Sequence, residues 1–305
     1  MIPIEAWRSQ YENSRYLREV HDDLLQRRFD DLTSNLWSTD PAGNVIQMRN
    51  PAVRGDLLRL IYHVMLEQMG RAKMPSRAFD ERALREASAA RYKPPRLITP
   101  FAGSADCLTK FGKREHIANA FNKGILRIAP ASSYNDPSLN PAQVDKELEH
   151  AAVTPNEHLM VKFYTRDADG KDVEMPVQLK ELFRYMTVPD FYVWCCGLGY
   201  DARLFHEFQA EAALVISDKD AFRARLFAAV AKVLPKGNMA DRALRYYDPY
   251  TVRREQLVPI FSKHFRYLYQ NEYRFAWTVP EGEPLKPFFV ELGPLHKIAE
   301  FLELA

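Results

Sequence analysis

The sequence predicts an α+β fold in which a helical N-terminal region, residues 1–100, precedes one mixed-sheet α+β domain, residues 101–305. Two observations support this division. Before residue 100, apolar side chains recur at helical spacing, and after it short apolar runs typical of strands alternate with helical and turn-forming segments. The chain of 305 residues is long enough for two domains, and its 47% hydrophobic content can supply a sizeable core.

The N-terminal region is predicted to contain three helices. Apolar residues at helical spacing predict the first over residues 4–37. The second covers residues 50–70, with Asn50 as its N-cap and Gly70 at its end. A third is expected over residues 78–92, and the prolines that follow it at 94, 95 and 100 predict a linker.

The second region is predicted to mix strands with shorter helices. Strands are expected over residues 107–112, 125–132, 190–199, 212–216, 266–279 and 286–292, with two more around the turn within 158–175. Helices are expected over residues 113–124, 203–210, 220–234 and 296–304.

Composition and charge limit the class of protein. A formal net charge of +2 gives no strong case for a nucleic-acid or membrane-surface protein. Three cysteines, two of them adjacent at Cys195 and Cys196, cannot build a disulfide framework and fit a reducing compartment. The first residues lack the apolar core of a signal peptide, and the longest apolar stretch contains Arg59 and His63. We therefore expect a cytoplasmic protein without a membrane partner.

Four segments of the second region carry candidate chemistry in a fixed order. They are residues 108–111, residues 131–137 with an Asn-Asp-Pro turn, residues 192–216 with Cys195, and residues 261–274 ending in Glu-Tyr-Arg. Between Leu108 and Trp277 this order resembles a bacterial family of unknown function. That family has a Leu-Tyr-Lys/Arg-Tyr strand, a Ser-x-x-Asn-Asp-Pro turn, a Cys-containing strand and a Glu-x-Glu-Tyr-Arg strand. This chain departs from the pattern at Phe205, Phe208 and Gln270.

The order of elements is also similar to the ADP-ribosyltransferase superfamily. That resemblance implies a carboxylate on a late strand, which falls on Glu272, with Gln270 completing a Gln-x-Glu pair as a second catalytic candidate. It implies NAD as a substrate, and cofactor-binding roles for Lys110, Ser132, Ser133, Tyr134 and Arg274.

Such a site has a coherent chemistry. Breaking the nicotinamide–ribose bond of NAD develops positive charge on the ribose, which a fixed carboxylate stabilises as it forms. Residues two apart on a strand share a face, so Gln270 and Glu272 are expected to project together, with the amide orienting the acceptor. Lys110 can contact phosphates, and the residues at 132 and 133 can shape the pocket by hydrogen bonding.

Each candidate residue has a structural alternative. Glu272 can be a surface acid paired with Arg274, and Lys110 a solvated lysine on an edge strand. The Asn-Asp-Pro segment can be only a turn, since Asn and Asp bond their own backbone there. The cysteines, His206 and His264 are interpreted as packing residues. The Tyr246-Tyr247 pair can line a nucleotide surface, but a partly buried aromatic cluster is the stronger interpretation.

The first functional hypothesis is an enzyme that transfers ADP-ribose from NAD to a macromolecule, protein or nucleic acid. The resemblance suggests a bacterial toxin or phage-defence effector, with the N-terminal helices binding an antitoxin or another regulatory partner. The alternatives are a non-catalytic module that binds a nucleotide or a partner, and a toxin that acts on nucleic acid without NAD. No metal site is expected, because neither a zinc-like cysteine spacing nor an HExxH motif occurs. Other chemistries lack their Walker A, GxGxxG and GxSxG motifs.

Overall fold

The fold was analysed in a computed structural model of the chain. It describes residues 3–39, 44–48, 50–73, 107–140, 142–155, 162–175, 181–252, 256–280, 282 and 284–303. Within these ranges the chain combines α-helices with a largely antiparallel sheet, which confirms the α+β class. No helix in the described ranges has both the length and the apolar character needed to cross a membrane.

The N-terminal region is built on three helices and a short hairpin. These are α1 (Ile4–Ser14), α2 (Asp22–Ser34), β1 (Trp37–Thr39), β2 (Val45–Gln47) and α3 (Pro51–Gly70). Asn50 caps α3 by accepting the backbone N–H groups of Ala52 and Val53, as the sequence predicts. The apolar faces of the helices form one core, which also contains Phe265 from the C-terminal third of the chain. The N-terminal helices therefore pack onto the second region.

The second region is organised around an eight-stranded sheet. Its strands are β3 (Leu108–Gly112), β4 (Ile125–Pro130), β9 (Tyr192–Leu198), β10 (Ala212–Ile216), β11 (Asn238–Ala243), β14 (Glu272–Thr278), β15 (Phe288–Glu291) and β16 (Ala299–Glu303). They follow the order β11–β14–β9–β3–β10–β16, while β4 pairs with β9 and β15 pairs with β4. Every described pairing within the sheet is antiparallel.

The sheet splits along β9. One edge of β9 pairs with β14 from Tyr192 to Gly197. The other edge pairs with β4 at its first two residues and with β3 at Gly197 and Leu198. On that edge, no strand of the described chain pairs with residues 194–196. The split opens a gap in the middle of the sheet.

One face of the sheet is covered by the main apolar core. The alternating residues of β14 place Phe275 and Trp277 on this face. Phe275 contacts the rings of Trp194 and Phe222, and Trp277 contacts the ring of Phe227. Phe222 belongs to the longest helix of this region. The helices here are α4 (Arg114–Lys123), α5 (Arg203–Glu207) and α6 (Lys219–Val233). The residues of β14 that alternate with them, Glu272, Arg274 and Ala276, face the opposite side of the sheet.

Smaller strand pairs surround the sheet. They are two antiparallel ribbons, β5 (Glu149–Pro155) with β8 (Glu181–Thr187) and β6 (Phe163–Arg166) with β7 (Asp172–Met175), and one parallel pair, β12 (Arg245–Tyr247) with β13 (Ser262–His264). Two 3₁₀ helices matter below, Ala131–Asn135 and Phe265–Gln270.

Several sequence predictions need correction. The helix predicted over 4–37 is interrupted between α1 and α2, and the predicted C-terminal helix over 296–304 is largely strand β16. The predicted strand over 266–279 begins only at Glu272. The central sheet is antiparallel in its described pairings rather than mixed. The predicted third helix, the linker and the boundary between residues 100 and 101 lie outside the described residues.

The end of α4 gives a prediction about stability. Gly124 has φ +71°, and a Cβ there would lie 2.2 Å from the carbonyl oxygen of Gly293. Gly124→Ala is therefore expected to lower the free energy of unfolding by about 3 kcal/mol, from left-handed strain plus overpacking. Gly170→Ala is the control, because Gly170 has φ +78° with open space around it. It should cost about 1 kcal/mol in urea denaturation, and equal losses for both variants would contradict the prediction.

Candidate functional site

A cleft opens beside the split in the sheet. It encloses about 580 Å³ of space, counting the part open to solvent. Its wall combines apolar rings with buried charged side chains. The lining residues are Thr109, Lys110, Phe111, Tyr134, Ala142, Gln143, Glu147, Cys195, Cys196, Gly197, Phe208, Lys263, Gln270 and Glu272.

A closed ring of charges lies against this cleft. Glu272 Oε2 is 2.9 Å from Lys263 Nζ, and Glu272 Oε1 is 2.9 Å from Arg274 Nη2. The second carboxylate, Glu147, is 3.4 Å from the same Lys263 and 2.7 Å from the same Arg274. Asp145 lies 3.5 Å from Lys263. Three carboxyl groups thus share two cations, so the cluster carries one excess negative charge when all are ionised.

The ring keeps Glu272 ionised. Burial opposes the charge on Glu272, but Lys263 and Arg274 outweigh that effect and lower its pKa to about 2. The pKa of Lys263 is held well above its usual value, because the attraction of Glu272 and Glu147 exceeds the cost of burial. At neutral pH the cleft therefore contains a fixed carboxylate, in a place from which water is largely excluded.

Asp145 behaves differently, and this gives a prediction about pH. Burial raises its pKa to about 6 despite the nearby charge of Lys263. A carboxyl whose folded pKa exceeds its unfolded value stabilises the fold when protonated, and that contribution is lost as pH rises through 6. Relative to Asp145→Asn, the wild type should therefore gain about 1 kcal/mol of unfolding free energy between pH 7 and pH 5 in urea denaturation. A pH-independent difference between the two proteins would contradict the assignment.

The local structure around Glu272 leaves space for its carboxylate. Its register partner on β9 is Gly197, which has no side chain to fill the space opposite. The backbone N–H of Glu272 donates to the hydroxyl of Tyr246 at 2.8 Å, which fixes the start of β14. The thiol of Cys195, a neighbour of the carboxylate, also lowers the pKa of Glu272. Burial, with the negative charge of Glu272 next in effect, raises the pKa of Cys195, so this thiol stays protonated.

Gln270 lies in the cleft, but for a different reason from the one predicted. It is the last residue of the 3₁₀ helix Phe265–Gln270, and Asn271 adopts φ 41° before β14 begins. The strand alternation expected for Gln270 and Glu272 is therefore wrong, although both side chains line the same cleft. The Gln270 amide donates to the carbonyl of Ala142 at 2.7 Å. Gln270 also lines a second cavity, between the N-terminal region and the sheet.

Lys110 lines the cleft from β3. This strand pairs with both β9 and β10, so the alternative of a lysine on an edge strand is wrong. The Lys110 ammonium donates to the carbonyl of Cys195 at 2.6 Å, in the stretch of β9 where the sheet is split. It also lies 5.5 Å from the centre of the Trp194 ring. Lys110 therefore places a positive charge at the gap in the middle of the sheet.

The other predicted cofactor-binding residues are divided. Tyr134 lines the cleft. Ser132 is bound to Asp190, its hydroxyl donating at 2.6 Å, and the hydroxyl of Ser133 donates to the carbonyl of Pro130 at 2.6 Å. Neither serine is among the cleft-lining residues. Arg274 is fully buried. Its guanidinium donates to the carboxylates of Glu272 and Glu147 and to the carbonyl of Ile260. The two serines and Arg274 thus lie outside the lining of this cleft, and their cofactor-binding roles stay predictions.

Three residues of the charged ring were missed by the sequence analysis. Lys263 lies two residues from both Phe261 and Phe265, so in an extended segment the three side chains share one face. Because the two rings are apolar and buried, this period-two pattern could have indicated that Lys263 is buried as well. Asp145 and Glu147 lie in a charged run after the Asn-Asp-Pro turn, and nothing in such a run distinguishes a buried carboxylate from a solvated one.

The remaining motifs have structural roles in the described chain. Tyr247 is buried, with its ring 5.8 Å from His150 and 6.0 Å from His264, which favours the aromatic-cluster interpretation over a stacking surface. Asp136 accepts the backbone N–H of Ser138, as expected of a turn. Within the described ranges, His, Cys, Asp and Glu side chains form no group of three suited to hold a metal ion.

Comparisons with known proteins add no relative. No protein-family model matches the chain, and no curated protein and no solved structure matches it. The function must therefore be argued from the cleft itself.

Proposed function

We propose that this protein is an NAD-dependent ADP-ribosyltransferase-like enzyme that acts on a macromolecule, protein or nucleic acid. The observation that carries the proposal is Glu272, an ionised and buried carboxylate in the wall of a cleft that opens beside the split in the sheet. Lys110, Gln270 and Tyr134 line the same cleft. These are four of the residues that the resemblance assigns to catalysis and NAD binding.

The chemistry asks for a fixed negative charge. As the bond between the ribose C1′ and the nicotinamide nitrogen breaks, both its electrons leave with nicotinamide, and C1′ becomes positively charged. A carboxylate already in place stabilises that charge without reorganisation. The acceptor then forms its bond to C1′ and loses a proton. Under this proposal the ionised carboxylate of Glu272 serves the first step.

The cleft residues suit the parts of NAD. Lys110 is a point charge for the pyrophosphate, although it must exchange its bond to the Cys195 carbonyl for a phosphate oxygen. Phe111 and Phe208 offer apolar ring faces for an aromatic base. The Gln270 amide supplies a neutral donor and acceptor beside Glu272.

A prediction about binding follows from Lys110. Lys110→Met keeps the apolar length of the side chain but removes the charge, and it is expected to weaken NAD binding about tenfold or more, the loss of one charge-assisted hydrogen bond. Isothermal titration calorimetry measures this. Lys113→Met on the same segment is the control, because the Lys113 ammonium is exposed and pairs with Glu211. NAD binding that is equal in both variants, or undetectable in the wild type, would contradict the assignment.

A non-catalytic module that binds a nucleotide or partner is the second candidate. It is favoured by one observation: both oxygens of Glu272 are already paired, one with Lys263 and one with Arg274. A carboxylate so fully satisfied can be a structural anchor. This candidate expects NAD or another nucleotide to bind without release of nicotinamide.

The biological setting remains part of the proposal. A bacterial toxin or phage-defence effector in the cytoplasm fits an enzyme that modifies macromolecules, and an antitoxin or regulatory partner is proposed for the N-terminal helices. If such a complex forms, we expect a partner to co-purify with the wild type and to be lost when the exposed side chains of α1 are replaced by alanine.

A further inference from the structure

The N-terminal region contacts the backbone that leads into the candidate site. Asn35, at the end of α2, is fully buried. Its Oδ1 accepts the backbone N–H of Tyr269 at 2.7 Å. Its Nδ2 donates to the carbonyls of Phe265 and Arg266, each at 3.3 Å, and to the carbonyl of Asp31 at 2.7 Å within its own helix. One amide side chain thus binds three residues of the 3₁₀ helix Phe265–Gln270.

That 3₁₀ helix ends at the cleft. Gln270 is its last residue, and Glu272 follows after one residue in the left-handed region. The position of the helix axis therefore fixes where Gln270 projects and where β14 begins. Because 3₁₀ helices have poor internal hydrogen-bond geometry, external partners for their backbone groups matter more than in an α-helix.

A second contact secures the same helix from the other side. The guanidinium of Arg203 lies 4.4 Å from the centre of the Tyr269 ring. It also donates to the carbonyls of Ser34 and Trp37, on either side of Asn35. Tyr269 is thus held through its backbone by Asn35 and through its ring by Arg203, and both contacts depend on residues 34–37.

Helix α2 is itself anchored to the second region at its middle, through Arg28. Arg28 forms a buried, two-bond ion pair with Asp248, at 2.6 and 3.0 Å. Its guanidinium also lies 5.1 Å from the ring of Phe265. A buried pair of this geometry restricts rotation of α2 about its axis, so Asn35 has a defined position relative to the 3₁₀ helix.

We infer that Asn35 is a positioning residue, and that the N-terminal region completes the candidate site by holding the segment that carries Gln270 and leads to Glu272. This inference rests on the proposed function for its catalytic consequence. Its structural consequence, the ordering of Tyr269 and Gln270 by Asn35, is independent of any reaction. A partner that moved the end of α2 would regulate the cleft by the same route.

The test compares Asn35→Ala with Val64→Ala. Val64 is fully buried in the same N-terminal core, on α3, and its truncation loosens that core without removing a polar contact to the 3₁₀ helix. In hydrogen exchange resolved to single amides, the protection of the Tyr269 amide should fall at least tenfold in Asn35→Ala and stay within about twofold of wild type in Val64→Ala. Equal protection of Tyr269 in all three proteins would overturn the inference, whether or not NAD is consumed.

Kinetics add the catalytic readout. For wild type that releases nicotinamide, Asn35→Ala should lower kcat about a hundredfold, the scale of a displacement of about 1 Å, while Val64→Ala leaves kcat unchanged. Should Asn35→Ala fail to fold, Asn35→Asp replaces it. This variant keeps the acceptor for Tyr269 but turns an ionised oxygen toward the carbonyls of Phe265 and Arg266. Its kcat should recover as pH falls and the introduced carboxyl regains a proton to donate; a flat profile at the wild-type level would contradict the positioning role.

Discussion

Replacing Glu272 with glutamine is expected to lower the rate of nicotinamide release from NAD by 10²- to 10³-fold. Glutamine keeps the shape of the side chain but removes the charge that stabilises the developing cation at C1′. Removing one preorganised electrostatic group of this kind costs about 3 to 4 kcal/mol of transition-state stabilisation. Because Glu272 also pairs with Lys263 and Arg274, some loss of stability accompanies the change, and rates must be compared below the unfolding transition.

Glu147→Gln is the matched control for this prediction. Glu147 is buried to the same extent as Glu272, 6% exposed for each, and contacts the same two cations. Both variants remove one negative charge from one ring, so they should be destabilised alike. Only Glu272→Gln is expected to lose turnover by the full factor. An equal loss in both variants would assign the whole ring a structural role and favour the non-catalytic module.

Replacing Arg274 with methionine is expected to cost about 3 to 5 kcal/mol of unfolding free energy, the usual result of breaking a buried ion pair from one side. Arg274 is fully buried and donates to Glu272, Glu147 and the carbonyl of Ile260. Without it, three carboxyl groups share one lysine. A loss of this size is a large part of the total stability of most domains, and denaturant unfolding at neutral pH measures it.

Arg114→Met provides the comparison for Arg274→Met. Arg114 pairs with Glu303 at 2.5 Å, and both side chains are exposed, by 65% and 40%, so solvent weakens the interaction. Exposed pairs of this kind contribute about 0 to 1 kcal/mol. Similar losses for the two variants would show that the charged ring is far weaker than its burial indicates, and the fixed charge on Glu272 would then lose its physical basis.

The sequence predicts most of the elements of the second region, because local signals and tertiary contacts agree there. The helix closed by Gly124 and the strand through Cys195 are examples. It fails where pairing overrides local pattern. Residues 296–304 have helical spacing of apolar side chains, yet Ala299–Glu303 pairs with β10 and buries Leu302. The spacing of apolar residues in this segment does not show that the edge of β10 is available for it to pair with.

The candidate site was also predictable only in part, because local sequence patterns do not show which distant residues come into contact. Glu272, Gln270, Lys110 and Tyr134 share a cleft, as the order of motifs suggests. Lys263 and Arg274 keep Glu272 ionised, and only the folded chain brings Lys263 within 3.5 Å of Glu272, Glu147 and Asp145. Likewise, the contact of Asn35 with Tyr269 joins residues 234 positions apart. Charge environments and long-range positioning follow from tertiary structure, which spacing along the chain does not encode.

The most direct test of the central claim, that the carboxylate of Glu272 in this cleft acts on NAD, is proton NMR of NAD incubated with the purified protein and a cell lysate as the source of acceptor. We expect free nicotinamide to appear with wild type and with Glu147→Gln, and its rate of appearance to fall at least a hundredfold with Glu272→Gln. Folded wild-type protein that leaves NAD intact, in a lysate whose own NAD consumption has been subtracted, would contradict the claim and leave the binding module as the function of this cleft.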